Sequence, residues 1–210
     1  TRGRSEPSSD LARYRVVVFG DSTANSLGWG LRSLRAKGLE VLLLGKDGCH
    51  MLSDNCDAQH WADKVRELRA DATLVYVGGA FLHGFSTSGK WRTACYADWN
   101  AKFERNLTQR LRELEATNRR VFAVTVPYPE GRWSKPQYRD QVDCINTSIR
   151  KAAATTPAIR LIELPEHLCP KGTCRKELQD KSVIRPDGVH FSLAGAQDTA
   201  GWVIDRVRRP

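Results

Sequence analysis

Short apolar runs alternate with longer stretches in which apolar residues recur three or four positions apart. The short runs read as buried strands at 15–20, 41–45, 73–77, 121–126 and 159–164, because they are unbroken, rich in Val, Ile and Leu, and punctuated by Gly or Pro. Between them the period changes to that of a helix. Leu27, Leu31 and Leu34 follow the first strand, and Trp61, Val65 and Leu68 follow the second. Phe103, Leu107, Leu111 and Leu114 line one face of a helix over 98–116, with Asp98 placed to cap it. Val142, Ile145 and Ile149 mark a helix over 137–154. A last one begins near Ser192 with Ala196, Ala200, Val203 and Val207 inward. Unbroken apolar strands alternating with helices predict a parallel sheet covered on both faces, an α/β/α sandwich of about five strands. Such sheets carry their sites beyond the carboxyl ends of the strands. Two connections, about 81–96 and 127–138, are long and aromatic, as functional loops often are.

The 210 residues suit one domain, predicted over 15–210 behind a polar, linker-like stretch at 1–14. No apolar run reaches membrane-spanning length, and no signal peptide is visible. The formal charge of +9 is spread along the chain apart from Arg206, Arg208 and Arg209. Without a nucleic-acid motif, that charge predicts a solvated basic surface and no nucleic-acid partner. Six cysteines bear on the compartment. Six permit 15 pairings. Sequence proximity favours Cys49–Cys56 and Cys169–Cys174, the latter spanning Pro and Gly, and exclusion leaves Cys95–Cys144. Three disulfides imply an oxidising compartment. The alternatives are free thiols, or a metal held by Cys49, His50, Cys56 and His60, whose spacing matches no standard zinc pattern. Asn106 and Asn146 head glycosylation sequons that fall on predicted helices.

Two motifs carry chemistry. In Val16-Val-Val-Phe-Gly-Asp-Ser22 a buried strand stops at Gly20 and a helix begins at Ser22. The hydroxyl would lie at the strand's carboxyl end, beside helix N-terminal N–H groups able to hold an oxyanion. Locally, Asp21 or Ser22 could equally be a helix cap. Near the other end, Arg185-Pro-Asp187-Gly-Val-His190 puts a carboxylate three residues from an imidazole in a Pro- and Gly-containing loop. A serine nucleophile needs such a base, and the base needs a group to orient it.

On these two blocks the chain resembles the SGNH/GDSL hydrolase superfamily, over roughly 15–207. That resemblance implies a three-layer, flavodoxin-like α/β/α fold, with Ser22 as nucleophile, His190 as general base and acid, and Asp187 as the orienting carboxylate. It also implies an oxyanion hole from the N–H groups of Ser22 and of a glycine after the second strand, Gly48 in preference to Gly45. Where the family has Gly-x-Asn-Asp, this chain has Gly78-Gly79-Ala80-Phe81, so Ala80 replaces an amide donor. His83, Trp91 and Asn100 are the candidates to compensate, and Ala80, Phe81, His83 and Trp91 to contact substrate. Phe81, Phe85, Trp91, Tyr96 and Trp99 form an aromatic set able to stack on sugars. More narrowly, Gly-Asp-Ser-Thr-Ala, Cys169-Pro-Lys-Gly-Thr-Cys174 and Asp187-Gly-Val-His190-Phe resemble the SGNH domain fused after bacterial acyltransferase-3 membrane proteins. The resemblance implies an extracytoplasmic esterase or O-acyltransferase tethered to such a membrane domain; as an isolated domain it is expected to be a monomer. It would act on acylated glycan and need no cofactor or metal. The competing reading is a catalytically weak glycan-binding or acceptor-presenting module of the same fold.

Overall fold

The computed structural model describes residues 13–52, 54–79, 84–87, 90–117 and 120–209. Five parallel strands form one sheet: β1 (Tyr14–Gly20), β2 (Leu39–Leu43), β3 (Ala72–Tyr76), β6 (Val121–Val124) and β7 (Ile159–Ile162). They lie in the order β2-β1-β3-β6-β7. A short antiparallel pair, β4 (Phe85–Thr87) and β5 (Lys90–Arg92), stands apart from it. The helices are α1 (Ser22–Ser33), α2 (Trp61–Leu68), α3 (Ala97–Glu115), α4 (Pro136–Ala154), α5 (Leu164–Leu168) and α6 (Leu193–Arg208). Helix α1 packs against α6, while α3 packs between α2 and α4. This is the three-layer α/β/α sandwich. No helix among the described residues is long and apolar enough to cross a membrane.

The central strands are apolar on both faces because both are covered. Val16, Val17, Val18 and Phe19 of β1 are all buried, and Phe19 stacks on Trp61 with ring centroids 4.7 Å apart. The helical stripes point inward as their spacing requires: Phe103, Leu107, Leu111 and Leu114 are all buried, as are Val142, Ile145 and Ile149. Helices α1 and α6 meet where their residues are small. A Cβ added at Gly30 would lie 2.1 Å from the Ala196 carbonyl oxygen.

Several boundaries differ from the pattern reading. Strand β6 stops at Val124 because Val126 turns its backbone to the Asn146 side chain, which accepts from its N–H at 2.8 Å and donates to its carbonyl at 2.9 Å. Asn146 is therefore a buried structural amide, unsuited to glycosylation. Strand β7 stops at Ile162, and Leu164 opens α5, with proline in its first turn where a missing N–H costs nothing. Asp98 does not cap α3. Tyr96 holds the cap position and Asp98 sits inside the first turn, its carboxylate accepting from Trp99 N–H at 2.9 Å. The long connection at about 81–96 contains the β4–β5 hairpin.

Disulfides join Cys49 to Cys56, Cys95 to Cys144 and Cys169 to Cys174. The first leaves no thiolate for a metal at the Cys49/His50/Cys56/His60 cluster. The second ties the segment entering α3 to the middle of α4.

Candidate active site

Strands β1 and β3 are neighbours in the sheet, but the chain leaves β1 through α1 to reach β2 and returns by α2 to β3. This is the switch point at which open α/β sheets leave a crevice. Gly20, the last residue of β1, pairs with Tyr76 at the end of β3. Its φ of +149° and a would-be Cβ 1.8 Å from the Tyr76 carbonyl oxygen exclude any larger residue.

Asp21 is fully buried and caps α1. One carboxylate oxygen accepts from Thr23 N–H at 2.8 Å and from the Thr23 hydroxyl at 2.5 Å. The other accepts from Gly78 N–H at 2.9 Å. The cap thus fastens the start of α1 to the segment after β3. Burial, with the Asp21 charge beside it, raises the Tyr76 phenol above its ordinary pKa and keeps it neutral. Capping by Asp21 and exposure of Ser22 are compatible: the aspartate turns inward, and the half-buried serine next to it faces the cleft.

Across the crevice, the loop before α6 supplies the other partners. The Ser22 hydroxyl lies 2.7 Å from His190 Nε2, and His190 Nδ1 lies 2.6 Å from the Asp187 carboxylate. With Asp187 ionised, Nδ1 carries the proton and Nε2 presents its lone pair to the serine. The second Asp187 oxygen accepts from the N–H groups of Val189 and His190, at 2.9 and 2.8 Å. Burial works against the ionised Asp187. Even so, the hydrogen bonds from the His190 ring and from these two N–H groups hold its pKa below the usual aspartate value.

This loop is anchored from beneath by groups that the motif did not disclose. Gly188, at φ +85°, fits only as glycine, since a Cβ would meet the Glu130 carbonyl oxygen at 2.1 Å. Its own carbonyl accepts from Glu130 N–H at 2.9 Å. Arg185, its side chain 1% exposed, donates to the Tyr128 carbonyl and to the Glu130 carboxylate, both at 2.8 Å. An arginine two residues before an aspartate in a turn gives no sequence signal of such a clamp.

Ser22 opens into a cleft of about 610 Å³ along one face of α1. Of the two candidate glycines after β2, Gly45 lines this cleft with Ser22. Gly48 sits further along the turn at φ +74°, its carbonyl accepting from the Asn55 amide at 2.7 Å. Ala80, Phe81 and His83 lie outside the described residues. Trp91 is 65% exposed on β5 and is not among the described residues lining the cleft. The aromatic set divides: Trp99 is completely buried and stacked on Phe103 at 5.3 Å, so it cannot meet a sugar, while Tyr96 is exposed beneath Arg92. The Asn100 side chain accepts from Cys95 N–H at 3.3 Å.

Comparison with known proteins agrees with this architecture. The chain resembles the structure of a lipase/acylhydrolase from Enterococcus faecalis (20% identity, TM-score 0.62, covering 92% of this chain and 94% of that one). It also resembles an acetylxylan esterase from Geobacillus stearothermophilus (15%, TM-score 0.63, 94% and 95%). A third similar structure is the periplasmic domain of a lipopolysaccharide acetyltransferase from Salmonella ser. Paratyphi A (11%, TM-score 0.66, 94% and 84%). At these identities the likeness establishes the fold. No curated protein matches the chain in sequence. Residues 2–200 match the family described as "SGNH domain (fused to AT3 domains)". The chain belongs to that SGNH-domain family.

Proposed function

We propose that this domain catalyses serine-dependent acyl transfer, with Ser22 as nucleophile, His190 as general base and then acid, and Asp187 as the orienting carboxylate. The observation that carries the reading is the unbroken chain of contacts from Ser22 through His190 to Asp187, at 2.7 and 2.6 Å. Ser22 attacks the carbonyl of an ester while its proton passes to His190 Nε2. The tetrahedral oxyanion collapses, His190 returns the proton to the departing alcohol, and an acyl-Ser22 ester remains. Water or a second alcohol then repeats the sequence in reverse. The Ser22 N–H is the first of α1 and has no acceptor within the helix. It is the first oxyanion donor of this mechanism, and a glycine N–H after β2 is the second.

The substrate of this proposal is an acylated glycan outside the cytoplasm. Three disulfides suit an oxidising compartment. The family is described as fused to AT3 domains, which supports a neighbouring acyltransferase domain as donor or acceptor of the acyl group. The acetylxylan esterase and lipopolysaccharide acetyltransferase among the similar structures support a carbohydrate ester.

The test is turnover of p-nitrophenyl acetate by wild type and Ser22→Ala, each checked for folding by circular dichroism. Loss of about 10³-fold or more in kcat in the folded mutant is the expected result. Equal rates would remove Ser22 from the chemistry.

A further inference from the structure

The cleft that receives Ser22 continues well beyond it. Ser22, Asn25, Ser26, Trp29 and Arg32 recur at three- and four-residue spacing and form one face of α1, which lines the cleft throughout. Edge strand β2 supplies Leu43 on one side, followed by Gly45 and Asp47, and Phe191, just before α6, and Leu193, its first residue, line the other. At 1.5 Å per residue, Trp29 lies about 10 Å along the helix from Ser22, roughly the length of two linked pyranose rings.

Two features set the far end apart from ordinary surface. Trp29 is 56% exposed and Leu193 is 62% exposed. Exposed tryptophan beside exposed leucine inside a concavity marks a contact site more than a packing remnant. The Arg32 guanidinium lies over the Trp29 ring, 5.0 Å from its centroid. Its Nε donates to the Val41 carbonyl at 3.4 Å, and no carboxylate among the described residues pairs with it. An exposed arginine held over an aromatic ring, with no carboxylate partner among the described residues, is available to an oxyanion such as a carboxylate or phosphate. The carboxylate in the cleft, Asp47, is at the near end, where it accepts from Asn25 at 3.1 Å.

We infer that this groove is a glycan subsite: a pyranose ring of the substrate chain stacks on the Trp29 face opposite the Arg32 guanidinium, and Arg32 takes a carboxylate or phosphate substituent of that chain. The chemistry discriminates between occupants. A fatty acyl chain prefers a continuous apolar lining, whereas Asn25, Ser26 and Asp47 interrupt this one with hydrogen-bonding groups. A sugar presents C–H faces and hydroxyls together, which matches an amphipathic indole set among polar side chains. The inference rests on the acyl-transfer reading for why a glycan should lie beside Ser22, but binding can be measured without turnover.

The experiment is calorimetric titration of tetragalacturonate, charged on every ring, and of xylotetraose, neutral, into wild type, Trp29→Ala and Arg32→Gln. Both positions are exposed, and thermal melts verify that the variants fold. The expected result is tighter binding of the charged sugar to wild type. Trp29→Ala should weaken both sugars about tenfold or more. Arg32→Gln should weaken only the charged one, bringing it near the neutral level. Binding of neither sugar to wild type, or variants that bind as wild type does, would overturn the subsite. So would a Trp29→Ala variant that loses turnover of p-nitrophenyl octanoate while its sugar titrations are unchanged, since the groove would then hold the acyl chain. The comparison of Ser22→Ala with wild type on p-nitrophenyl acetate separately decides the chemistry, so failure of one reading is distinguishable from failure of the other.

Discussion

At the scale of single residues, the site depends on buried charges whose partners lie far away in sequence. Arg185 ties the loop bearing Asp187 and His190 to Tyr128 and Glu130, and its guanidinium is almost wholly shielded from water. Removing one member of a buried pair strands the other, at a cost of about 3–5 kcal/mol. Arg185→Met should therefore lower stability by about 3 kcal/mol, a fall of roughly 6–12 °C in melting temperature for a domain of this size. Adding Glu130→Gln should restore part of the loss, because the stranded carboxylate is then gone. A double-mutant cycle followed by calorimetry checks this, and strictly additive losses would refute the coupling. Ser22, Asp187 and His190 stand out in the sequence because, on the acyl-transfer reading, nucleophile, orienting carboxylate and base each need a specific residue type in a specific local setting. Arg185 and Glu130 do not, since their pairing exists only once two distant loops meet. Trp29 was hidden for a different reason: it falls between the inward Leu27 and Leu31, and a tryptophan in an apolar stretch ordinarily reads as core.

At the scale of elements, the strands and helices that form the layers were legible because burial on both faces writes unbroken apolar runs, and burial on one writes a helical period. Their ends were less so. Val126 looks like strand continuation, yet the Asn146 amide takes its backbone groups, a contact 20 residues distant. Leu164 looks like the last strand residue, yet Pro165 starts a helix there. Elements are also joined by charge. Arg150 of α4 makes a two-pronged pair with Glu163, just beyond β7, at 2.7 and 2.8 Å, and the Thr125 hydroxyl donates to the same carboxylate at 2.8 Å. Burial opposes the ionised Glu163, but these hydrogen bonds outweigh it and lower its pKa. A carboxylate with a lowered folded pKa stabilises fully above its unfolded value, about 4.3. That contribution fades as pH falls through the lower folded value. Urea denaturation of wild type and Glu163→Gln should thus show a stability difference that is constant above about pH 5.5 and shrinks steadily below it. A difference that does not change with pH would show that the carboxylate titrates alike in both states.

At the scale of the whole molecule, the three disulfides are unequal. Cys49–Cys56 and Cys169–Cys174 close loops of 7 and 5 residues, while Cys95–Cys144 closes one of 49. On the chain-entropy account a cross-link of that longer span contributes about 4 kcal/mol and the short ones about 2 kcal/mol each. Replacing Cys95 and Cys144 together by Ala should lower the melting temperature about twice as far as replacing either short pair, measured by scanning calorimetry without reductant. Equal shifts would show that native contacts, not the spans, set their worth. The hydrogen-bonded pair at the centre of the site spans more than any of these, Ser22 and His190 being 168 positions apart. Closing so long a span adds little entropy beyond a span half its length, so distance itself is a small burden on stability. It matters more for timing. As the chain is synthesised, Ser22 emerges well ahead of His190, and its imidazole partner is not in place until residue 190 has emerged and α6 has docked on α1. Until then the serine is an ordinary alcohol. On the acyl-transfer reading, a nascent or truncated chain is inert toward esters, and reactivity switches on only in a domain that has finished folding.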